Sequence, residues 1–254
     1  MLESFFPGRI DLGIGRAPGS DQLTAAALAY PRPQADVEEF PQQVVHLLGF
    51  LVGAIDPRDP FSDIHVQPGP SPAASPEVWL LGSSDYSAQL AAILGLPFAF
   101  ADFFGHTRDI GPKVADLYRQ KFRPTYFGAK PRLNVTLQIV CAPTHEEAVH
   151  LAYSRKLSRA ARLMGASAGS LRGGLMPPDE AAAYPLPDDV RRYVEESSRA
   201  SIDGTAEEVR EQIISVAESY GTTDVGVVTN CYAFEDRVRS YELVAGAFGL
   251  TPPR

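Results

Sequence analysis

The sequence predicts an α/β protein organised around a parallel sheet. Three observations carry that reading: compact apolar runs alternate with helical stripes, the runs are apolar on both faces, and capping signals open several of the helices. Strands that alternate with helices pair in parallel through right-handed crossovers. Strands apolar on both faces are expected where helices cover one side and a second layer or a barrel interior covers the other. An open sheet and a (β/α) barrel both satisfy this pattern.

The elements follow in order. In RIDLGIGRAPGSD, residues 9–21, Ile10, Leu12 and Ile14 alternate with Asp11, Gly13 and Gly15, a strand broken by Arg16, Pro18 and Gly19. Glu38 to Val52 carries a helical stripe through Val44, Val45, Leu47, Leu48, Leu51 and Val52. Six prolines between residues 53 and 77 exclude a continuous helix there and indicate a loop, with a short extended piece at Ile64 to Gln67. EVWLLGSS is a compact strand, and SAQLAAILG a helix stopped by Gly95. LPFAFADFF is the next strand and Ile110 to Phe122 the next helix. RLNVTLQIVCA is the longest β-rich run, and Thr144 with Glu147 forms a T-x-x-E box opening a helix to about Met164.

Residues 165–204 interrupt the rhythm with Gly, Ala and Pro, and only Asp188 to Ser198 reads as helical. A connection of this length is expected to be a mobile lid, an insertion or disorder. Thr205 and Glu208 give a second box, ahead of a Val209, Ile213, Val216 stripe. DVGVVTN is the last strand and Glu235 to Phe248 the last helix. Five strands are thus expected.

Composition narrows the function. The chain has 254 residues, 44% of them hydrophobic and 21% charged, with a formal net charge of −8, as in an ordinary globular protein. No Lys/Arg cluster with interleaved aromatics suggests nucleic acid. The five histidines at 46, 65, 106, 145 and 150 are scattered and no C-x-x-C occurs, so no metal site is expected. Cys141 and Cys231 sit in apolar runs and read as buried, reduced thiols. Neither a signal-peptide pattern in MLESFFPGRI nor a membrane-length apolar run is present, and a cytoplasmic location is expected.

The richest local feature is LLGSSDYSAQLAA. A strand ends, Gly82 permits a tight turn, and Ser83 and Ser84 lead into a helix whose first N–H groups lack intrahelical partners. Such a terminus attracts an anion, typically phosphate, and Ser83, Ser84 and Ser87 add hydroxyl donors. The spacing fits equally a helix merely capped by Ser84 or Asp85. Arg16 ends the preceding strand, and in a parallel sheet it emerges on the same edge as the Gly82 turn, where a guanidinium would pair with phosphate oxygens.

Taken jointly, FPGRIDLGIGRAPGSD, PEVWLLGSSDYSAQLAAILGLPFAFADFF, NVTLQIVCAPTHEEA and DVGVVTN, in that order, resemble the bacterial luciferase-like flavin-dependent monooxygenases over nearly the whole chain. The resemblance implies a single domain over 1–254 of the (β/α)8 TIM-barrel type, with cofactor and substrate at the carboxyl ends of the strands. It implies reduced FMN as cofactor, supplied by a separate reductase, with the deazaflavin F420 as the alternative. It also implies the transfer of one atom of O2 to a small organic substrate. By the same resemblance Arg16, Gly82, Ser83, Ser84 and Ser87 hold the flavin phosphate, and no catalytic residue is assigned.

In the family the arginine strand is the fourth of eight. The resemblance therefore implies that three β/α units, the wall under the flavin ring among them, lie outside this polypeptide. Five strands cannot close such a barrel. Either the chain is a piece of a longer product, or it is a partial barrel whose open sheet edges pair with another copy or partner. A non-catalytic flavin- or phosphate-binding remnant is the alternative function. His106 and Asn230 follow strands and could line a cofactor face, while Trp79 is expected in the core.

Overall fold

The computed structural model describes residues 1–17, 22–31, 37–67, 69, 75–104, 107–165 and 174–251. Contacts group the chain into two compact units, Met1–Phe98 with Tyr118–Arg132, and Ala99–Leu117 with Leu133–Arg254.

The first unit opens with α1 (Leu2–Phe5), whose buried Glu3 accepts hydrogen bonds from the amides of Gly8 (2.5 Å) and Ile10 (3.2 Å) and so fixes the approach to β1 (Asp11–Gly15). Helices α2 (Gln22–Ala29) and α3 (Phe40–Val52) follow, the second preceded by a 3-10 turn at Val37–Glu39. The predicted stripe buries Val44 and Leu48 of α3, which stops at Gly53 in the left-handed conformation that glycine adopts without a Cβ penalty. Strand β2 (Glu77–Gly82) pairs with β1 in parallel, from Asp11 opposite Glu77 to Gly15 opposite Leu81. The Leu81 side chain occupies the space beside Gly13, where a Cβ would lie 2.8 Å from Leu81 Cδ1. Helix α4 (Asp85–Leu94) packs on β2 through Ala88, Ala91 and Ala92, all fully buried, and ends at left-handed Gly95.

Strand β3 (Phe98–Asp102) and helix α5 (Thr107–Lys121) each divide between the units. Tyr118 of α5 closes the core of the first. Its hydroxyl donates to Leu96 O (2.9 Å) or Arg132 O (3.1 Å) and accepts from the Arg132 amide (3.1 Å), and its ring lies 5.6 Å from that of Phe98. Burial pushes the Tyr118 phenol up to about 12.

The second unit is built on β4 (Leu133–Cys141). Within it β3 neighbours β4. Helices α6 (His145–Met164), α7 (Pro178–Ala183) and α8 (Asp188–Ser197) lead to a short strand β5 (Ile202–Gly204). Helix α9 (Ala206–Ser219), strand β6 (Asp224–Val228) and helix α10 (Phe234–Ala247) complete it. β4 pairs in parallel with β6 over Asn134–Gln138 and with β5 over Ile139–Cys141. Ile139 and Val140 are consecutive and both fully buried, as a strand covered on two faces requires. The Cys141 amide donates to Ser240 Oγ (2.9 Å), tying α10 to β4. Thr144 accepts from the Glu147 amide at the start of α6, and the Thr205–Glu208 box is reciprocal.

The expected α/β order and parallel pairing are present, with corrections. Among the described residues there are six strands rather than five, because Ile202–Gly204 adds β5. The extended piece expected at Ile64 to Gln67 is not a strand. Asp188 to Ser198 is not the only helical stretch after residue 165, since α7 precedes it and packs with α8 against α6 through Leu157, Ala160, Ala181, Val190 and Val194. Residues 166–173 of the expected lid, and His106, lie outside the described residues. Trp79 is half-buried rather than core, its indole N–H on Glu77 Oε2 (3.1 Å) and Arg132 stacked on its ring at 5.0 Å.

Candidate functional site

In the first unit, the register of β1 and β2 brings Arg16 and the Gly82 turn to one place. Gly15 lies opposite Leu81, so the residues that follow each, Arg16 and Gly82, leave the same carboxyl end of a parallel pair. The Arg16 guanidinium stacks on the ring of Tyr86, 4.4 Å from its centroid, within the first turn of α4. Stacking occupies the face of the guanidinium and leaves its N–H edge to donate.

Ser84 is the N-cap of α4 in an extended conformation, yet its side chain makes no capping hydrogen bond. Asp85 Oδ1 instead accepts from the neighbouring Tyr86 amide at 2.9 Å. Ser83 and Ser84 are half-exposed beside the turn, whereas Ser87 is buried and packs directly over Gly82. A Cβ at Gly82 would overlap Ser87 Cβ and Oγ, so the turn requires glycine. A helix N-terminus not capped by Ser84, glycine beneath it and a guanidinium beside it form a cradle that suits a phosphate or another compact anion.

The second unit contains a cavity of about 490 Å³ that the sequence reading missed. Its floor includes Gln138 of β4 and Val228 and Asn230 at the end of β6; Gln138 Nε2 donates to Val228 O (2.9 Å) and Asn230 Nδ2 to Gln138 Oε1 (3.4 Å). Phe103 and Phe104, just past β3, pack as tilted rings with centroids 4.5 Å apart and line the cavity together with Tyr193 of α8. The remaining wall is α6, which contributes Arg155, Arg159 and Arg162.

These arginines differ in surroundings. Arg155 is buried and grips Asp203 with two hydrogen bonds, Nη1 to Oδ1 (3.1 Å) and Nη2 to Oδ2 (2.8 Å), while its buried Nε has no acceptor among the described residues. Arg159 donates to the carbonyls of Ser197 and Phe103, the latter at 2.8 Å. Burial, then the charges of Arg155 and Arg162, push the Arg159 guanidinium below its ordinary value. Arg162 is exposed at the rim. Positions 155, 159 and 162 follow i, i+4, i+7 spacing, a helix-face signal that the sequence carries openly.

Cys141 and Cys231 are free and buried; burial raises both thiols, Cys231 to about 11. Among the described residues no three His, Cys, Asp or Glu side chains gather as metal ligands, and no helix is long and apolar enough to cross a membrane.

Comparison with known proteins gives a family. The profile described as "Luciferase-like monooxygenase" matches residues 1–223. A luciferase-like monooxygenase of Escherichia coli is 35% identical over 242 residues, 95% of this chain and 68% of its own length. The solved structure of apo-MsnO8 is 34% identical with a TM-score of 0.80, the match covering 99% of this chain and 72% of that one. Two more distant structures share the fold alone. One is the oxygenating constituent of 3,6-diketocamphane monooxygenase from Pseudomonas putida in complex with FMN (18% identity, TM-score 0.57, 97% and 73% covered). The other is an F420-dependent secondary alcohol dehydrogenase in complex with an F420-acetone adduct (16%, 0.56, 97% and 72%). On the extent of the profile match and the identity to these relatives, the chain belongs to the luciferase-like monooxygenase family.

Proposed function

We propose that the chain is the flavin-handling part of an FMN-dependent monooxygenase on a TIM-barrel-type scaffold, acting on a small organic substrate. One observation carries the reading: the β1–β2 register sets Arg16 beside the Gly82 turn, with its guanidinium over Tyr86 in the first turn of α4. Arg16 would pair with two phosphate oxygens, and the amides and hydroxyls of Ser83 and Ser84 would take the others. Ser87 keeps the turn closed through its contact with Gly82. When bound, the reduced flavin supplies the electrons that activate O2. The chain's own residues fix the phosphate end and so the position of the ring. A separate reductase supplies reduced FMN, and F420 is the alternative cofactor.

The test is equilibrium binding of FMN and of riboflavin, which lacks the phosphate, to the full chain and to Arg16→Gln. FMN is expected to bind at least about tenfold more tightly than riboflavin, and Arg16→Gln to erase that difference while riboflavin affinity stays put. Equal affinities in the unsubstituted chain sink the phosphate assignment. F420 binding with no FMN binding reassigns the cofactor. FMN binding without substrate-dependent O2 uptake on reduced FMN leaves the non-catalytic binding module as the function.

A further inference from the structure

The protein carries 31 acidic against 23 basic residues. Its cavity inverts that balance: among the described lining residues there are three arginines and no carboxylate. Among the described residues Arg155 alone of the three is ion-paired, to Asp203, whose charge also reaches Arg159. Arg159 and Arg162 form no ion pair among the described residues, and of the five N–H donors of Arg159 one on Nη1 and one on Nη2 go to backbone carbonyls. Three cations set against the single carboxylate of Asp203 leave the pocket with a net positive potential, which an entering anion relieves. The apolar lining comprises Leu163, Val228 and three aromatic residues, Phe103, Phe104 and Tyr193, the last two about half exposed. A volume of about 490 Å³ is in the range of small-molecule sites.

We infer that this cavity binds an organic anion, a carboxylate or sulfonate attached to a flat or apolar body, with Arg159 and Arg162 on the anionic group and the Phe103–Phe104–Tyr193 wall on the body. The pairing follows from the chemistry of the two walls, since a free inorganic anion would leave the aromatic side unused and a neutral hydrocarbon would leave the cations unpaired. That this anion is the substrate to be oxygenated rests on the flavin reading above. That the cavity binds it does not.

The experiment is calorimetric titration of the full chain with benzoate, its neutral isostere benzamide, and FMN. Benzoate is expected to bind saturably and benzamide at least about tenfold more weakly. Arg159→Gln should weaken benzoate about tenfold, and Arg162→Gln, at an exposed rim with no ion pair among the described residues, about threefold. Arg159 also anchors α8, so Arg162→Gln, with a melting temperature matching the unsubstituted chain, keeps the test decisive if the first variant fails to fold. FMN affinity should be the same in both folded variants. Benzamide binding as well as benzoate overturns the inference. So does benzoate affinity unchanged in Arg162→Gln, or saturating FMN that blocks benzoate by occupying the cavity itself. Benzoate binding with no FMN binding removes the flavin reading alone, and FMN binding with no benzoate binding removes this one alone.

Discussion

Removing the Asp203 carboxylate should destabilise the second unit severely. Arg155 is 3% exposed and Asp203 12% at the side chain, and the two share two hydrogen bonds. Asp203→Ala strands a buried guanidinium that already feels the positive charge of Arg159, one turn on along the same helix. Breaking a buried pair from one side costs about 3–5 kcal/mol. At roughly 2–4 °C per kcal/mol for a chain of this size, the melting temperature should fall by about 6–20 °C. Far-UV circular dichroism follows both units, and the single tryptophan, Trp79, reports on the first unit alone, so its fluorescence separates a local effect from a global one. Arg155→Met should also be damaging, since it leaves Asp203 unpaired. The double variant should lose less than the sum of the two, by at least about 1 kcal/mol. An Asp203→Ala protein that melts within about 2 °C of the unsubstituted chain, or a strictly additive cycle, refutes the reasoning.

Further outcomes follow from other contacts. Gly111→Ala places a Cβ on the Tyr220 hydroxyl and 2.7 Å from its Cε1; overpacking of about 1–3 kcal/mol outweighs the roughly 1 kcal/mol of helix propensity gained, so the melting temperature should drop, not rise. On the alkaline side, an unfolded Cys231 ionises from about 9 whereas the folded thiol stays neutral to about 11. Ionisation therefore favours the unfolded state, stability falls as pH rises through that window, and Cys231→Ala should flatten this limb in a pH series of thermal melts. Thr205→Ala removes half of a reciprocal capping box and should lower stability by about 1 kcal/mol in urea unfolding.

What the sequence revealed depended on how local each signal was. The strand in LNVTLQIVC, the two threonine caps and the stop at Gly95 are set within a few residues, and all three stand in the structure. β5 has three residues, too few for any period, and is a strand only because Ile139–Cys141 lies beside it. α7 reads PDEAAA, with Ala181 its only buried residue, so no stripe announces it. Arg16 and Gly82 were legible together because parallel strands that end in functional turns share an edge. The arginine cavity was not, although its spacing was in plain view. Cations at i, i+4, i+7 ordinarily mark a solvated face, and what buries Arg155 is a carboxylate 48 residues away.

Because Arg155, Arg159 and Arg162 run from the packed interior to the rim along one helix, tolerance to change should be graded in the same direction. A library randomising α6 would keep Arg155 in almost every folded clone, accept few replacements at 159, and sample position 162 broadly. Diversification of ligand preference among descendants of this protein should therefore begin at the outermost arginine and move inward only with a compensating change at Asp203.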